Sequence, residues 1–216
     1  MTRKDLLLPI AIFLITATVH AAELTTINFE SIPGVSPING FLNDTPVPPA
    51  SRLNTQLLAT HGVRFRSEAP NPDYVALIGL GGGHATSGSN GIGGVNTHND
   101  IRYGVPTIIS FFDPTPPNVA AVSDFVSIRA DLFDDGGPLT LEAFDIHGNL
   151  LATDSAVDLG GPSLSVQVPG IHAVRLIDVG STVGWDDLTF STLRPVPEPA
   201  TWLFALAALP ALIRRR

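Results

Sequence analysis

The strongest constraint on the fold is a two-residue alternation of apolar and polar side chains, which recurs in short runs between residues 23 and 191. Successive side chains of a β-strand point to opposite faces, so such a run predicts a strand with one buried face. Seven runs put apolar residues on one side: Ile27 and Phe29; Val63 and Phe65; Val126, Ile128, Ala130 and Leu132; Leu139, Leu141 and Ala143; Leu164, Val166 and Val168; Val174 and Leu176; Leu188 and Phe190. Helical periodicity over ten or more residues is absent from this part of the sequence.

Turn signals separate the predicted strands. The sequences DDGG at 134–137, IHGN at 146–149 and LGGP at 159–162 are typical of tight connections between antiparallel strands. Short strands at this spacing, each with one apolar face, predict an all-β, antiparallel β-sandwich domain over residues 22–191.

Two stretches lack the alternation. Residues 33–61 are rich in proline, and residues 80–100 are rich in glycine, serine and asparagine. Both are interpreted as long surface loops, the second crossing one face of the sandwich, because loops of this length carry no strand pattern of their own.

The first 21 residues have the features of a secretory signal peptide. Arg3 and Lys4 precede an apolar stretch, and Val19 and Ala21 flank His20 in a small-x-small cleavage pattern. We therefore expect export, with cleavage after Ala21.

Composition excludes several classes of function. The chain has 12 basic and 20 acidic residues; removing the five basic and two acidic residues of its two ends leaves 7 and 18. This negative charge disfavours a nucleic-acid partner. The chain has no cysteine, and Lys4 is its only lysine, so cysteine nucleophiles, disulfides and lysine-based catalysis are excluded from the mature domain. No HExxH or G-x-S-x-G motif occurs, although a triad assembled in space or a glycosidase carboxylate pair stays open.

The C-terminal segment 192–216 has three parts. Pro197, Glu198 and Pro199 follow a proline-rich linker, an apolar run extends from Trp202 to Ile213, and three arginines end the chain at Arg214, Arg215 and Arg216. Residues 201–213 would span roughly 20 Å as a helix, less than the ~30 Å hydrocarbon core of a bilayer. Terminal arginines nevertheless favour the cytoplasmic side of a membrane.

This order resembles the PEP-CTERM sorting signal of Gram-negative bacteria. The resemblance implies recognition of Pro197, Glu198 and Pro199 by an exosortase, an integral-membrane cysteine protease-like enzyme. It further implies transient membrane insertion from Trp202 to Ile213, retention by Arg214, Arg215 and Arg216, and release to the cell surface or extracellular matrix. Many proteins of this group accompany exopolysaccharide and biofilm production.

The domain resembles the jelly-roll, carbohydrate-binding-module-like sandwiches of that group, through INFES, HGVRF, LEAFDIHGNLL and GWDDLTF. Terminal strands of such folds pair antiparallel, and by alternation Glu30 and Asp187 share the sense opposite to that of Phe29 and Leu188. The resemblance thus implies that Glu30, Asp186 and Asp187 hold a structural calcium ion, which prefers six to eight oxygen ligands. The alternatives are solvated carboxylates, or Asp186 capping a turn.

Sugar binding would need exposed aromatic side chains. Trp185, Tyr74 and Tyr103 are the stacking candidates, with Trp185 as the main one; packing in the core is the alternative for Trp185. The sequence thus favours an exported, non-enzymatic surface or matrix protein. A carbohydrate-binding module is the second hypothesis, and a secreted hydrolase is the third.

Overall fold

The structure is a computed structural model that describes residues 23–39, 44–81, 85–132, 137–157, 161–179 and 183–196. In these residues α1 (Leu58–His61) is a single helical turn, and Pro49–Ser51 form a 3-10 turn. The strands there are β1 (Leu24–Ile27), β2 (Ile38–Asn39), β3 (Arg52–Leu53), β4 (Val63–Ser67), β5 (Val75–Gly79), β6 (Asn90–Gly93), β7 (Thr107–Phe111), β8 (Ala121–Leu132), β9 (Leu139–Phe144), β10 (Leu150–Ala156), β11 (Ser163–Ile171), β12 (Ala173–Asp178), β13 (Val183–Ser191) and β14 (Arg194–Pro195).

The strands form two sheets. The larger has the order β11-β8-β13-β6-β5-β2, with β1 beside β13, β14 beside β8 and β3 beside β5. The smaller has the order β10-β9-β12-β7-β4. The described pairs are antiparallel except β2 with β5. The predicted all-β, antiparallel sandwich is therefore confirmed at the level of fold class.

The predicted alternation matches the buried face of each sheet. In β4 the side chains of Val63 and Phe65 are fully buried, whereas Arg64 and Arg66, which alternate with them, are partly exposed. The apolar residues of β9 alternate with partly exposed ones in the same way. These side chains meet in one core between the sheets, where Phe29 and Phe65 make an edge-to-face contact at 5.8 Å.

Parts of the two stretches interpreted as surface loops are packed into the domain. In the proline-rich stretch, Leu53 and Leu57 are buried in the main core. In the glycine-rich stretch, β6 is a buried strand inside the larger sheet. The loop interpretation was wrong for these residues. Leu53 and Leu57 lie four residues apart in a two-residue strand and at the start of a helical turn, and Ile92 stands alone between two glycines, so neither stretch has an alternation to detect.

A second apolar cluster covers the opposite face of β5. Ala76, Ile78 and Leu80 are buried there against side chains from the loops on either side, namely Val47, Val95, Ile101 and Tyr103. Strand β5 is therefore buried on both faces, which explains its unbroken apolar sequence.

The folded domain continues past the predicted boundary at residue 191. Leu193 packs against the main core, β14 pairs with β8, and the N–H of Val196 donates to the carbonyl of Ala120 at 2.8 Å. The domain therefore extends to Val196, the last described residue.

Candidate functional site

Three segments meet where β13 changes its neighbour. Trp185 of β13 pairs with β6, whereas Leu188 and the residues after it pair with β1. A register shift between Asp186 and Thr189 separates the two pairings, and Asp187 has a positive φ of 50°. The predicted antiparallel pairing of the first strand with the strand carrying Asp186 and Asp187 is thus present.

Glu30 lies just beyond β1 and binds the segment that leads into β6. The backbone N–H groups of Ser89 and Asn90 each donate to Oε1 of Glu30 at 2.7 Å. Gly88 has a φ of +78°, and a Cβ at this position would lie 2.3 Å from the carboxyl carbon of Glu30. Only glycine therefore lets the chain pass so close to this carboxylate.

Asp186 binds the same segment from the other side. The N–H of Ser87 donates to Oδ2 of Asp186 at 2.9 Å, and the Ser87 hydroxyl lies 3.1 Å from that oxygen. The N–H of Asp187 donates to Oδ1 at 2.7 Å. Asp186 has no exposed surface, and burial raises the pKa of its carboxyl above the ordinary value. We call Glu30, Asp186 and residues 87–90 the carboxylate clamp.

The clamp brings two of the three predicted calcium ligands to one segment, but in another role. The carboxylate oxygens of Glu30 and Asp186 accept hydrogen bonds from N–H and O–H groups. A calcium ion would have to be coordinated by the same oxygens. In the part of the chain that the structure describes, no group of three or more His, Asp or Glu side chains is placed to hold a metal ion. These residues do not form a preassembled calcium site.

The aromatic candidates for sugar stacking are already engaged. Trp185 is 3 % exposed and belongs to the main core, so its ring has no free face for a sugar; the packing alternative describes its position. Tyr103 is buried in the second cluster. Tyr74 donates its hydroxyl to Asn99 at 2.8 Å, and the guanidinium of Arg52 lies 4.7 Å from its ring centroid.

Sequence reasoning missed a groove of about 500 Å³ that lies beside β1 and α1. We call it the edge groove, because among the described strands β1 pairs with β13 alone and β4, which follows α1, pairs with β7 alone. Its polar lining carries two carboxylates, three hydroxyls and one imidazole: Glu23, Asp113, Thr25, Thr60, Thr192 and His61. Its apolar lining is Pro114, Phe190 and Leu193.

Local hydrogen bonds hold the polar lining in place. Oδ1 of Asp113 accepts the N–H of Thr115 at 2.8 Å, and Oγ1 of Thr60 lies 2.8 Å from Nδ1 of His61. The hydroxyl of Thr192 donates to the carbonyl of Glu23 at 3.2 Å. Since these residues come from four separate segments, no sequence spacing could have grouped them.

Gly62 follows two lining residues of the edge groove, Thr60 and His61. It ends α1 with a φ of +68°, and its carbonyl accepts the N–H of Phe112 at 2.7 Å. A Cβ here would lie 2.1 Å from the carbonyl oxygen of Phe112 and 2.7 Å from a methyl carbon of Leu193. A glycine after a helical turn was the one available signal in the sequence.

The predicted end segments fall outside the described residues. This applies to the signal peptide at 1–21, to Pro197, Glu198 and Pro199, to the apolar run from Trp202 to Ile213, and to Arg214, Arg215 and Arg216. Among the described residues, no helix has the length and apolar character needed to cross a membrane.

The fold and these two sites define an all-β sandwich domain with a groove at one edge. No protein-family model and no curated protein matches the chain. Among solved structures it is similar to CsCBM6-3 from Clostridium stercorarium in complex with cellobiose. The TM-score is 0.33 and the sequence identity 20 %, with 58 % of this chain and 86 % of that chain covered. The fold assignment above rests on the described strands alone.

Proposed function

We propose that this chain is an exported, non-enzymatic protein of the cell surface or extracellular matrix of a Gram-negative bacterium, sorted by an exosortase and associated with exopolysaccharide. The C-terminal sequence carries the proposal: Pro197, Glu198 and Pro199, an apolar run and terminal arginines, together with a signal-peptide sequence at the other end. Its partners are the exosortase, the membrane during processing, and matrix polysaccharide.

The described domain supports this arrangement. Val196, the last described residue, donates a backbone hydrogen bond to Ala120, and Pro197 is the next residue in the sequence. Removal of the segment after the Pro-Glu-Pro motif would leave every described strand intact. A sorting signal of this kind can be cut away without loss of the fold.

Intact mass and location of the native protein test the proposal. We expect a wild-type host to release a form that lacks residues 1–21 and the segment after the Pro-Glu-Pro motif, and an exosortase-deficient host to retain the tail in its membrane fraction. Glu198→Ala should reproduce retention in the wild-type host, with Asp44→Ala, far from both predicted cleavage sites in the sequence, as the control that is processed normally. An intact tail in both hosts would contradict sorting and leave a plain membrane anchor.

Carbohydrate binding by a jelly-roll-like sandwich is the second candidate function. The edge groove favours it, since its 500 Å³ lies within the roughly 300–1,000 Å³ of small-ligand pockets and its lining mixes hydroxyls, carboxylates and apolar side chains. Affinity electrophoresis on host exopolysaccharide should retard the protein. Release of reducing sugar or shortened glycan from the same material would support the hydrolase hypothesis in its place.

A structural calcium ion at Glu30, Asp186 and Asp187 is a separate proposal. The buried carboxylate of Asp186 beside Asp187 supports it, and the hydrogen bonds within the carboxylate clamp oppose it. Calcium should raise the melting temperature of the EDTA-treated protein if the ion is structural. Identical melting in millimolar calcium and in EDTA would end the proposal.

A further inference from the structure

We propose, on the basis of the carbohydrate-binding function above, that the edge groove takes sugar residues that are neutral or carry an amine and rejects sugar residues that carry an acid. The inference concerns the charge class of the ligand and the two side chains that select it, Glu23 and Asp113.

The hydrogen-bonding groups of the groove match a polyhydroxylated ligand. Carboxylates accept hydrogen bonds from ligand hydroxyls, whereas a threonine hydroxyl and an imidazole both donate and accept. The groove presents all three kinds of group on segments that other bonds already hold, such as Asp113 through Thr115 and Thr60 through His61. A ligand with hydroxyls on several sides can satisfy many of these groups together.

The apolar lining matches the carbon face of a sugar ring. Pro114 and Leu193 are half-buried, whereas Phe190 is 2 % exposed and packs in the main core. Pro114 and Leu193 therefore place aliphatic carbon beside the polar groups, and a sugar ring likewise presents C–H groups beside its hydroxyls. A small inorganic ion would leave these carbon surfaces uncovered.

The charge of the groove decides which sugars fit. Glu23 and Asp113 contribute two negative charges, and no lysine or arginine occurs among its described lining residues. Cleavage after Ala21 would add one α-amino group next to Glu23, which still leaves a net negative groove. An acidic sugar would therefore meet like charge without a partner, whereas an amine would form charge-assisted hydrogen bonds.

The test compares three tetrasaccharides that differ in charge: a neutral glucose tetramer, a glucosamine tetramer and a galacturonic acid tetramer. Titration calorimetry of the purified full-length chain at low and physiological salt gives each affinity. We expect binding of the first two, and binding of the acidic tetramer at least about tenfold weaker than that of the neutral one.

Charge-removing variants identify the selecting residues. Glu23→Gln and Asp113→Asn keep side-chain shape, and the amide oxygen that Asp113→Asn introduces can still accept the N–H of Thr115. Together the two substitutions should lower the affinity for the glucosamine tetramer at least about tenfold. They should also bring the affinity for the acidic tetramer close to that for the neutral one. Asp44→Asn, which removes an exposed partner of Arg102 outside the groove, is the matched control and should change none of the three affinities.

The outcomes separate the inference from the function on which it rests. Binding of no tetramer would contradict the carbohydrate-binding function itself. Sugar binding that persists unchanged in the double variant and in Thr60→Ala would keep that function and overturn the edge groove as its site. Stronger binding of the acidic tetramer by the unaltered protein would overturn the charge selection. Unchanged melting temperatures show that the variants are folded, and Thr60→Ala supplies an independent variant if the charge variants are not.

Discussion

Strands β8 and β6 flank β13 on opposite sides, and they enter the sheet by different means. Strand β8 has twelve residues, alternates buried and more exposed side chains from Val126 to Ala130, and pairs with β13 from Val183↔Leu132 to Phe190↔Val126. Strand β6 has four residues, two of them glycines; all four are buried, and it meets β13 at Trp185↔Ile92. Side-chain burial holds β8, whereas close backbone approach lets β6 fit.

The close approach around β6 can be stated in distances. A Cβ at Gly91 would lie 2.8 Å from the carbonyl oxygen of Trp185 and 2.7 Å from Cδ1 of Leu80. A Cβ at Gly94, just after the strand, would lie 2.2 Å from the carbonyl oxygen of Val105. Glycine at these positions leaves room for the neighbouring backbone. The region therefore requires glycine for close packing, but its sequence shows no two-residue period.

The largest expected effect comes from breaking the side-chain rule in β8. Ile128→Ala removes a fully buried side chain from the main core and should lower the free energy of unfolding by about 3 kcal/mol, within the range found for cavity-forming substitutions. Ser127→Ala, one residue earlier on the outward face, should stay within about 0.5 kcal/mol of the original. Urea denaturation gives both values. Equal losses of unfolding free energy in the two variants would contradict the view that only one face of β8 is buried in the core.

The next effect tests the backbone rule in β6. Gly91→Ala should lower the free energy of unfolding by about 2 kcal/mol, because the new methyl group must displace the backbone of β13 or the side chain of Leu80. Gly79→Ala in β5 is the matched control. Its Cβ would meet no atom closer than 3.6 Å, so it should change stability by less than about 1 kcal/mol. If Gly91→Ala is as stable as Gly79→Ala, close approach does not explain β6.

The same contrast explains how much of the fold could be predicted. In β4, β8, β9 and β12 apolar side chains recur every two residues. Those whose burial is described lie on the buried face that this period indicates. Strand β5 is apolar throughout because the second cluster covers its outer face, and that cover comes from distant residues such as Val47 and Ile101. No local pattern carries such information.

The candidate site divides in the same manner. Pairing of the end strands brings Glu30 near the Asp186–Asp187 pair, but alternation matched Glu30 with Asp187. In the structure Asp186 shares the segment 87–90 with Glu30, because the register of β13 shifts between Asp186 and Thr189 and Asp187 has a positive φ. The segment itself was not anticipated, since hydrogen bonds from backbone N–H groups leave no trace in residue type. The edge groove depends on four separate segments and was missed altogether. Trp185 was a stacking candidate because one sequence cannot show that both its faces are covered.

A smaller effect should separate the two carboxylates of the clamp. Both N–H bonds to Glu30 end on Oε1, so Glu30→Gln can keep them and should cost less than about 1 kcal/mol. Asp186 uses both oxygens, and Asp186→Asn would turn an amide group toward a donor, which should cost about 1–3 kcal/mol despite the loss of a buried charge. Hydrogen exchange at Ser87 should be faster in Asp186→Asn than in Glu30→Gln. The reverse order would contradict the clamp as the device that seats β6.

The smallest effect concerns an exposed carboxylate in the turn between β9 and β10. Oδ1 of Asp145 accepts the N–H groups of His147 and Asn149 at 2.8 Å, and Oδ2 accepts the side-chain amide of Asn149 at the same distance. The bond from the Asn149 side chain is the main cause that lowers the pKa of Asp145 below 3.8. Because the pKa is lower in the folded state, the ionised carboxylate stabilises the turn at any pH above the pKa of the unfolded state. This stabilisation is lost as the pH falls through the pKa of the folded state.

The carboxyl carbon of Asp145, followed by NMR, should therefore titrate with a midpoint below 3.8. The protection of the His147 N–H, measured as its exchange rate relative to the intrinsic rate at each pH, should fall over the same acidic range. In Asp145→Asn the uncharged side chain can still accept the N–H of His147, so this protection should no longer change with pH. A midpoint at or above 3.8 would show that the turn does not depend on the ionised carboxylate. Because β9 has its own buried row and pairs with β12 along its length, acid should open this turn without separating β9 from β12. Failure of the clamp would instead release β6 from the interior of its sheet.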